Sequence, residues 1–291
     1  MTTLRLATRQ SPLALSQSRW VADRLQDRHP GLRVELVGLT TSGDTTVGPL
    51  ADAGGKGLFT KEVELALLRG DADLAVHSFK DVPVTMPLVE GVEEELVVAA
   101  VPTREDPRDA IISRRPLPTS LDGLRIGTGS PRRIALLRDL WPDAIAVPIR
   151  GNVDSRIAKI GAGEVDAVVL AMAGLNRLSR LRGLTIRPLA IDSFTPAAGQ
   201  GALAVQCRQD DAATRRLLAS VNDEAAQRAV EVERDVVRLL DGDCHSPIGA
   251  HVEGSGTLHV AFEEAGRLLR GRSSGGAADA VADARETAAH R

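Results

Sequence analysis

Tyrosine is absent from this 291-residue chain, and aromatic residues of any kind make up only 2% of it. Single-stranded nucleic acids are held on aromatic platforms beside a basic stripe. The chain has neither, and its net charge is -3, so no nucleic-acid partner is expected. Cysteine is scarce as well. Two residues, Cys207 and Cys244, cannot build a disulfide framework, and no metal site is expected. No uncharged apolar run approaches the roughly 18 residues of a membrane span, and Met1 to Leu6 lack a basic-then-apolar leader. The expected setting is therefore the cytoplasm, away from membranes. Lysine is rare too: only Lys56, Lys61, Lys80 and Lys159 stand among 36 basic residues. An arginine in a motif is thus a weaker pointer here than a lysine.

With 43% hydrophobic and 26% charged residues, the length suffices for two or three domains with real cores. The chain repeats itself. Leu4-Arg5-Leu6-Ala7-Thr8 runs into Ser11-Pro12 much as Leu124-Arg125-Ile126-Gly127-Thr128 runs into Ser130-Pro131. Each reads as a strand entering a helix, with serine as N-cap and proline at the first helical position. Downstream, Gly70 to Val76 parallels Gly163 to Val169, each leaving a helix for a buried strand. Two echoes in the same order predict two α/β units with largely parallel sheets, whose sites lie beyond the carboxyl ends of the strands. Thr8 to Ser11 and Thr128 to Arg133 fall there, where helix N-termini suit anionic groups. From about Asn222 the character changes. A helix to Leu240, a strand over Thr257 to Phe262, a turn over Gly271 to Gly276 and a helix over Ala277 to His290 predict a small α+β domain. Crossings between domains are expected near Val98 to Arg104 and Ile191 to Gly201.

Cys244 lies in Asp241-Gly242-Asp243-Cys244-His245-Ser246-Pro247-Ile248-Gly249, where glycines and proline forbid regular structure. A thiol there is presented, either as a nucleophile or attachment point or as an inert loop thiol. Cys207, in the alternating run Ala202 to Cys207, reads as a small core hydrophobe. Lys80 and Asp81 follow a buried strand, where Asp81 is either a catalytic carboxylate or part of a surface turn before Pro83. Gly54 to Phe59 lacks the spacing of a phosphate-binding loop and reads as a lid or a plain turn. Arg132, Arg133, Arg150, Arg156 and Arg177 stand near predicted strand ends or helix starts. Their forks suit a substrate with several carboxylates, unless they are solvated surface arginines.

Taken in order, Ala7 to Ala14, Gly54 to Phe59, His77 to Pro83, Arg104 to Asp109, Arg150 to Val153, Gly199 to Ala202 and Cys244 to Gly249 resemble the motifs of the hydroxymethylbilane synthase (porphobilinogen deaminase) family. The resemblance spans about residues 4 to 250. It implies an α/β protein with two periplasmic-binding-protein-like (type II) domains of mostly parallel sheets plus a small C-terminal α+β domain. The expected boundaries are 1–98 with 200–218, 104–195, and 222–291. It also implies a transferase, monomeric, that condenses four porphobilinogen molecules stepwise, losing ammonia from each, onto a dipyrromethane cofactor thioether-linked to Cys244. Hydrolysis then releases linear hydroxymethylbilane.

By the same resemblance Asp81 is the catalytic carboxylate, able to hold pyrrole N–H groups and to stabilise the cationic azafulvene left by loss of ammonia. Cys244, Lys80, Asp81, Thr128, Ser130, Arg132, Arg133, Arg150 and Gly151 hold the cofactor. Arg9, Ser11, Lys56, Phe59, Arg156, Arg177 and Gln200 serve the substrate. Three positions depart from the family pattern: Asp52 for a frequent lysine, Gly129 for a hydroxyl residue, and Asp243 for glycine, which would disfavour a neighbouring thiolate. Two other readings use the same residues: an anion-binding module with an inert Cys244, and a thiol-dependent acyl transferase.

Overall fold

The repeated strand, turn and helix are present at both places in the computed structural model, which describes residues 2–39, 60–84, 95–179, 182–243 and 245–290. β1 (Thr2–Arg9) enters α1 (Pro12–Arg28), and β6 (Arg125–Gly127) enters α3 (Pro131–Leu140). The hydroxyl oxygens of Ser11 and Ser130 accept from the N–H groups of Ala14 and Arg133. Each satisfies a donor that the helix start leaves unpaired. The second echo is just as local. Asp73 donates its N–H to the carbonyl of Arg5 and takes that arginine's N–H and guanidinium on its carboxylate. Asp166 does the same with Arg125. Gly70 and Gly163, both at φ +72°, supply the left-handed residue that stops α2 (Lys61–Leu68) and α4 (Val153–Gly161) before these aspartates.

Two compact units result, one from Met1–Arg104 and Ala202–Arg228, the other from Glu105–Gly201 and Ala229–Arg291. In the first, the sheet order is β2 (Leu32–Leu39), β1, β3 (Leu74–Ser78), β10 (Leu203–Arg208), β4 (Leu96–Ala100). β1 is parallel to β2 and β3, whereas β10 is antiparallel to both of its neighbours, so four strands share one direction. In the second the order is β7 (Ile145–Val147), β6, β8 (Ala167–Ala171), β5 (Asp109–Ser113), β9 (Thr185–Pro188), with β5 as the reversed strand. This is α/β architecture with two mostly parallel sheets of like build, the class expected from the sequence. Leu6, Leu25 and Leu74 anchor one core, and Ile126, Leu136 and Phe194 another. Each such side chain contributes roughly 1.5–3 kcal/mol on burial.

Cys207 is the core residue expected from its run: Leu203 to Cys207 are all buried, with Leu203, Val205 and Cys207 in one core cluster with Leu218 and the Gln206 amide bonded to Glu64. Burial, reinforced by the charge of Asp211, pushes the Cys207 thiol up to about 11, which suits an inert core residue. Val98 to Ala100, expected in a crossing, belong to β4 and pair with β10.

After α5 (Met172–Leu178) in the second unit and α6 (Ala212–Ala219) in the first, the second unit also holds α7 (Glu224–Leu239) from Ala229 onward, the antiparallel sheet β11 (Ile248–Val252), β12 (Leu258–Glu264) and β13 (Arg267–Ser273), and α8 (Ala277–Ala289). The turn expected from Gly271 is instead strand as far as Ser273. A Cβ on Gly271 would stand 2.3 Å from the carbonyl oxygen of Ala280 and 2.6 Å from the N of Ala284. The glycine is there to let α8 lie on the sheet. Among the described residues, no helix is long and apolar enough to cross a membrane.

Candidate functional site

In the first unit, β1 and β3 deliver their candidate residues at their carboxyl ends. Thr8 is buried; it accepts from the Ser18 hydroxyl at 2.7 Å and donates to the Arg9 carbonyl at 3.2 Å, which ties α1 to the strand end. After β3 the chain makes one 3-10 turn, Phe79–Asp81, closed by Val82 N–H to the Phe79 carbonyl at 3.0 Å. Phe79 donates its own N–H to the Ala202 carbonyl at 3.0 Å. Phe79 and Val82 are buried while Asp81 is exposed and Lys80 half-buried. Two apolar anchors therefore hold a short turn that presents Lys80 and Asp81.

Beneath this turn runs a buried polar chain. His77 Nε2 lies 3.0 Å from Gln206 Oε1, and Gln206 Nε2 donates to Glu64 Oε1 at 3.2 Å. The carboxylate fixes the amide orientation, and the amide oxygen in turn makes His77 Nε2 the donor. Burial, with help from the charge of Arg9 and against the Gln206 bond, lowers the His77 imidazole to about 4. The unfolded chain takes up this proton near the ordinary 6.5, so between these values it binds more protons than the folded one. Stability therefore falls as pH is lowered through that window, by roughly 3 kcal/mol for this group. Denaturant unfolding at pH 7 and 4.5 should show His77→Gln losing less stability on acidification than the parent. Equal losses would contradict a neutral buried imidazole.

In the second unit, Thr128 follows β6, is buried, and donates its N–H to the Val147 carbonyl at 2.9 Å. Its hydroxyl accepts from the Ser130 N–H at 3.2 Å. Gly129 has a steric reason in this chain: a Cβ would stand 2.9 Å from the Ile149 carbonyl oxygen. The turn before α3 thus lies against the segment carrying Arg150 and Gly151. Gly151 has φ +104°, and its carbonyl accepts from Arg156 Nε at 2.8 Å. Asn152 caps α4 through the Ser155 N–H at 2.8 Å. Arg150 is exposed and Arg156 half-buried.

Arg132 and Arg133 are not solvated. Arg132 Nη1 donates to Asp109 Oδ2 and to the Thr195 carbonyl, both at 2.8 Å. Arg133 donates to Asp109 Oδ1 through Nη2 at 2.7 Å and Nε at 3.1 Å, and through Nη1 to the Val169 carbonyl at 2.9 Å. Gln200 Nε2 reaches the same Oδ1 at 3.0 Å and the Pro107 carbonyl at 2.7 Å. Burial lowers the Arg132 guanidinium from its ordinary range, and Asp109 opposes that shift. Arg177 donates to the Gly201 carbonyl at 2.8 Å and is lowered to about 10 by burial, partly offset by Glu105.

The segments flanking Cys244 are tightly held, although Cys244 itself lies outside the described residues, as do Lys56, Phe59 and Asp52. Asp243 donates its N–H to Ser246 Oγ at 2.9 Å, and its Oδ1 accepts from the His245 N–H at 2.9 Å and from Ser246 Oγ at 3.0 Å. Asp243 therefore ties together the residues on the two sides of Cys244. Downstream, Ala250 donates its N–H to the Pro196 carbonyl at 2.9 Å, beside the Thr195 carbonyl that receives Arg132. Glu233, fully buried, accepts from the Gly199 N–H at 2.7 Å, the Val252 N–H at 2.9 Å and His251 Nδ1 at 3.1 Å. Sequence reasoning gave no role to Asp109, Glu233 or Glu64. Glu233 left a signal, since it falls on the apolar stripe of α7 with Val230 and Val237, and a carboxylate on such a stripe must be hydrogen-bonded.

Residues 4–216 match the family described as "Porphobilinogen deaminase, dipyromethane cofactor binding domain". A porphobilinogen deaminase of Stenotrophomonas maltophilia is 46% identical over 289 residues, 96% of this chain and 92% of that protein. One of Xanthomonas axonopodis pv. citri is 46% identical over 298 residues, 99% of this chain and 95% of that protein. Among solved structures, the periplasmic VFT2 domain of Bordetella pertussis BvgS is 19% identical, with a TM-score of 0.41, covering 76% of this chain and 86% of that one.

Proposed function

The chain belongs to the porphobilinogen deaminase family and is a transferase, and from that premise we propose that it joins four porphobilinogen molecules head to tail on a dipyrromethane carried by Cys244. One ammonia leaves per substrate, and hydrolysis releases linear hydroxymethylbilane. The observation that carries this reading furthest is the turn Phe79–Asp81, which offers an exposed carboxylate at a strand's carboxyl end between two buried anchors. Asp81 accepts pyrrole N–H groups and stabilises the positive charge left on porphobilinogen as ammonia departs. Lys80 and Arg9 stand in the same unit, with the N-terminus of α1 and Ser11, to neutralise acetate and propionate groups.

The residues of the second unit fit the dipyrromethane. Arg132 and Arg133 share the single carboxylate of Asp109, an arrangement rich in positive charge for a group that brings several carboxylates. Thr128, Ser130, Arg132, Arg133, Arg150 and Gly151 would hold it together with Lys80 and Asp81, and Arg156, Arg177 and Gln200 would serve the incoming substrate with Lys56 and Phe59. When bound, the dipyrromethane supplies the pyrrole to which the first substrate is joined. We take residues 222–291 as the attachment domain, beside α/β domains of 1–98 with 200–218 and of 104–195. We place the enzyme in the cytoplasm as a monomer.

Purified protein given porphobilinogen should release four ammonia molecules per hydroxymethylbilane. Uptake of porphobilinogen without ammonia would instead indicate a binding module. Within this reading Arg150→Leu leaves a substrate or cofactor carboxylate without its partner, a loss of roughly 1.5–3 kcal/mol, or about ten- to hundred-fold in affinity. The exposed Arg267 serves as the comparator. Equal effects of Arg150→Leu and Arg267→Leu on half-saturating porphobilinogen would remove Arg150 from the site.

A further inference from the structure

Asp109 is shared by two guanidiniums that use it differently. Arg133 gives Asp109 the whole of its side-on edge, Nε and Nη2, and its remaining Nη1 goes to the Val169 carbonyl. Arg132 spends only Nη1, on Asp109 and the Thr195 carbonyl. Its Nε and Nη2 have no hydrogen-bond partner among the described residues. The side-on edge of an arginine matches a carboxylate with two parallel hydrogen bonds. One arginine has that edge filled from within the protein, and the other has it to offer.

The cluster is also rigid. The side chains of Arg132, Arg133 and Asp109 are 5%, 6% and 0% exposed. Gln200 adds a neutral donor to the same Asp109 oxygen that Arg133 holds. Asp109 opens β5, whose next three residues are fully buried, so its carboxylate is fixed by the sheet. We propose that Asp109 is a positioning residue that divides the labour of the two arginines: it consumes Arg133 as a buttress and sets the Nε–Nη2 edge of Arg132 for a carboxylate of the pyrrole cofactor. This rests on the proposed function, and it goes beyond that reading in assigning unequal roles to Arg132 and Arg133 and a role to Asp109.

A double-mutant cycle tests it. Protein made in cells unable to form porphobilinogen is loaded in vitro, and the porphobilinogen concentration that gives half of the chains their dipyrrole is read by denaturing mass measurement. Circular dichroism checks the fold of each variant. Arg132→Gln should raise that concentration about ten-fold or more, as loss of a charge-assisted bond does. Asp109→Asn should raise it similarly, and the double variant should be no worse than Arg132→Gln alone, because residues acting through one contact are not additive. Factors that multiply, or a folded Asp109→Asn protein that loads like the parent, would overturn the proposal. If Asp109→Asn does not fold, Arg133→Gln decides: it should impair loading less than Arg132→Gln, and an equal or larger impairment overturns the division of roles. A parent protein that never acquires the dipyrrole defeats the functional reading itself. A parent that loads while the variants deviate defeats only the roles assigned here.

Discussion

Asp81→Asn should lower turnover by about 10²–10³, the scale expected when one preorganised stabilising group is lost from an active site. The substitution keeps the size of the side chain and part of its hydrogen bonding but removes the negative charge. Holding porphobilinogen should therefore suffer less than stabilising the charge that appears on it. Phe79 and Val82, buried on either side of the turn, should keep the backbone in place, so the variant should fold like the parent. If the variant is supplied with preformed cofactor, single-turnover mass measurement should show the dipyrrole on Cys244 and elongation stalled. Near-normal turnover would reduce Asp81 to a structural turn residue, and the catalytic carboxylate would have to be sought elsewhere.

Replacement of Cys244 should have a larger effect still. Cys244→Ala should yield a folded protein with no covalent pyrrole and no turnover, whereas Cys207→Ala should keep the adduct. Cys207 is wholly buried in the interior strand β10, and its thiol is pushed up to about 11. It has neither the access nor the thiolate that thioether formation asks for. The residues on either side of Cys244 have their own hydrogen bonds, between Asp243 and Ser246 and from the Gly242 N–H to the Val237 carbonyl. An adduct on Cys207, or one that survives in Cys244→Ala, would sink this assignment; peptide mapping locates it.

What could be read from the sequence was what local chemistry decides. The Ser11-Pro12 and Ser130-Pro131 helix starts were legible because capping acts within four residues. The matching Gly70 and Gly163 segments were legible because a left-handed residue must end a helix before a buried strand. Harder were positions whose identity answers to a distant partner. Gly271 resembled a turn, yet its reason is the backbone of α8 more than eight residues away. Cys207, by contrast, could be read as a core hydrophobe from its own apolar run, and it is wholly buried. Arg132 and Arg133 could be read as carboxylate binders or as solvated arginines, and nothing nearby in sequence announced that Asp109 would pair with both. Asp109 stood within a recognisable motif, but its meaning comes from pairing with residues 23 and 24 positions on. The departures were the least legible. Gly129 is required by the Ile149 carbonyl, and Asp243 by the loop that it closes.

Whether Cys244 carries a covalent dipyrromethane is decided by the mass of the purified protein under denaturing conditions. The expected result is a single species heavier than the 291-residue chain by one dipyrrole, with the added mass mapping to the peptide that contains Cys244. A chain of unmodified mass that nevertheless binds porphobilinogen, or one that carries an acyl group on its thiol instead, would contradict it.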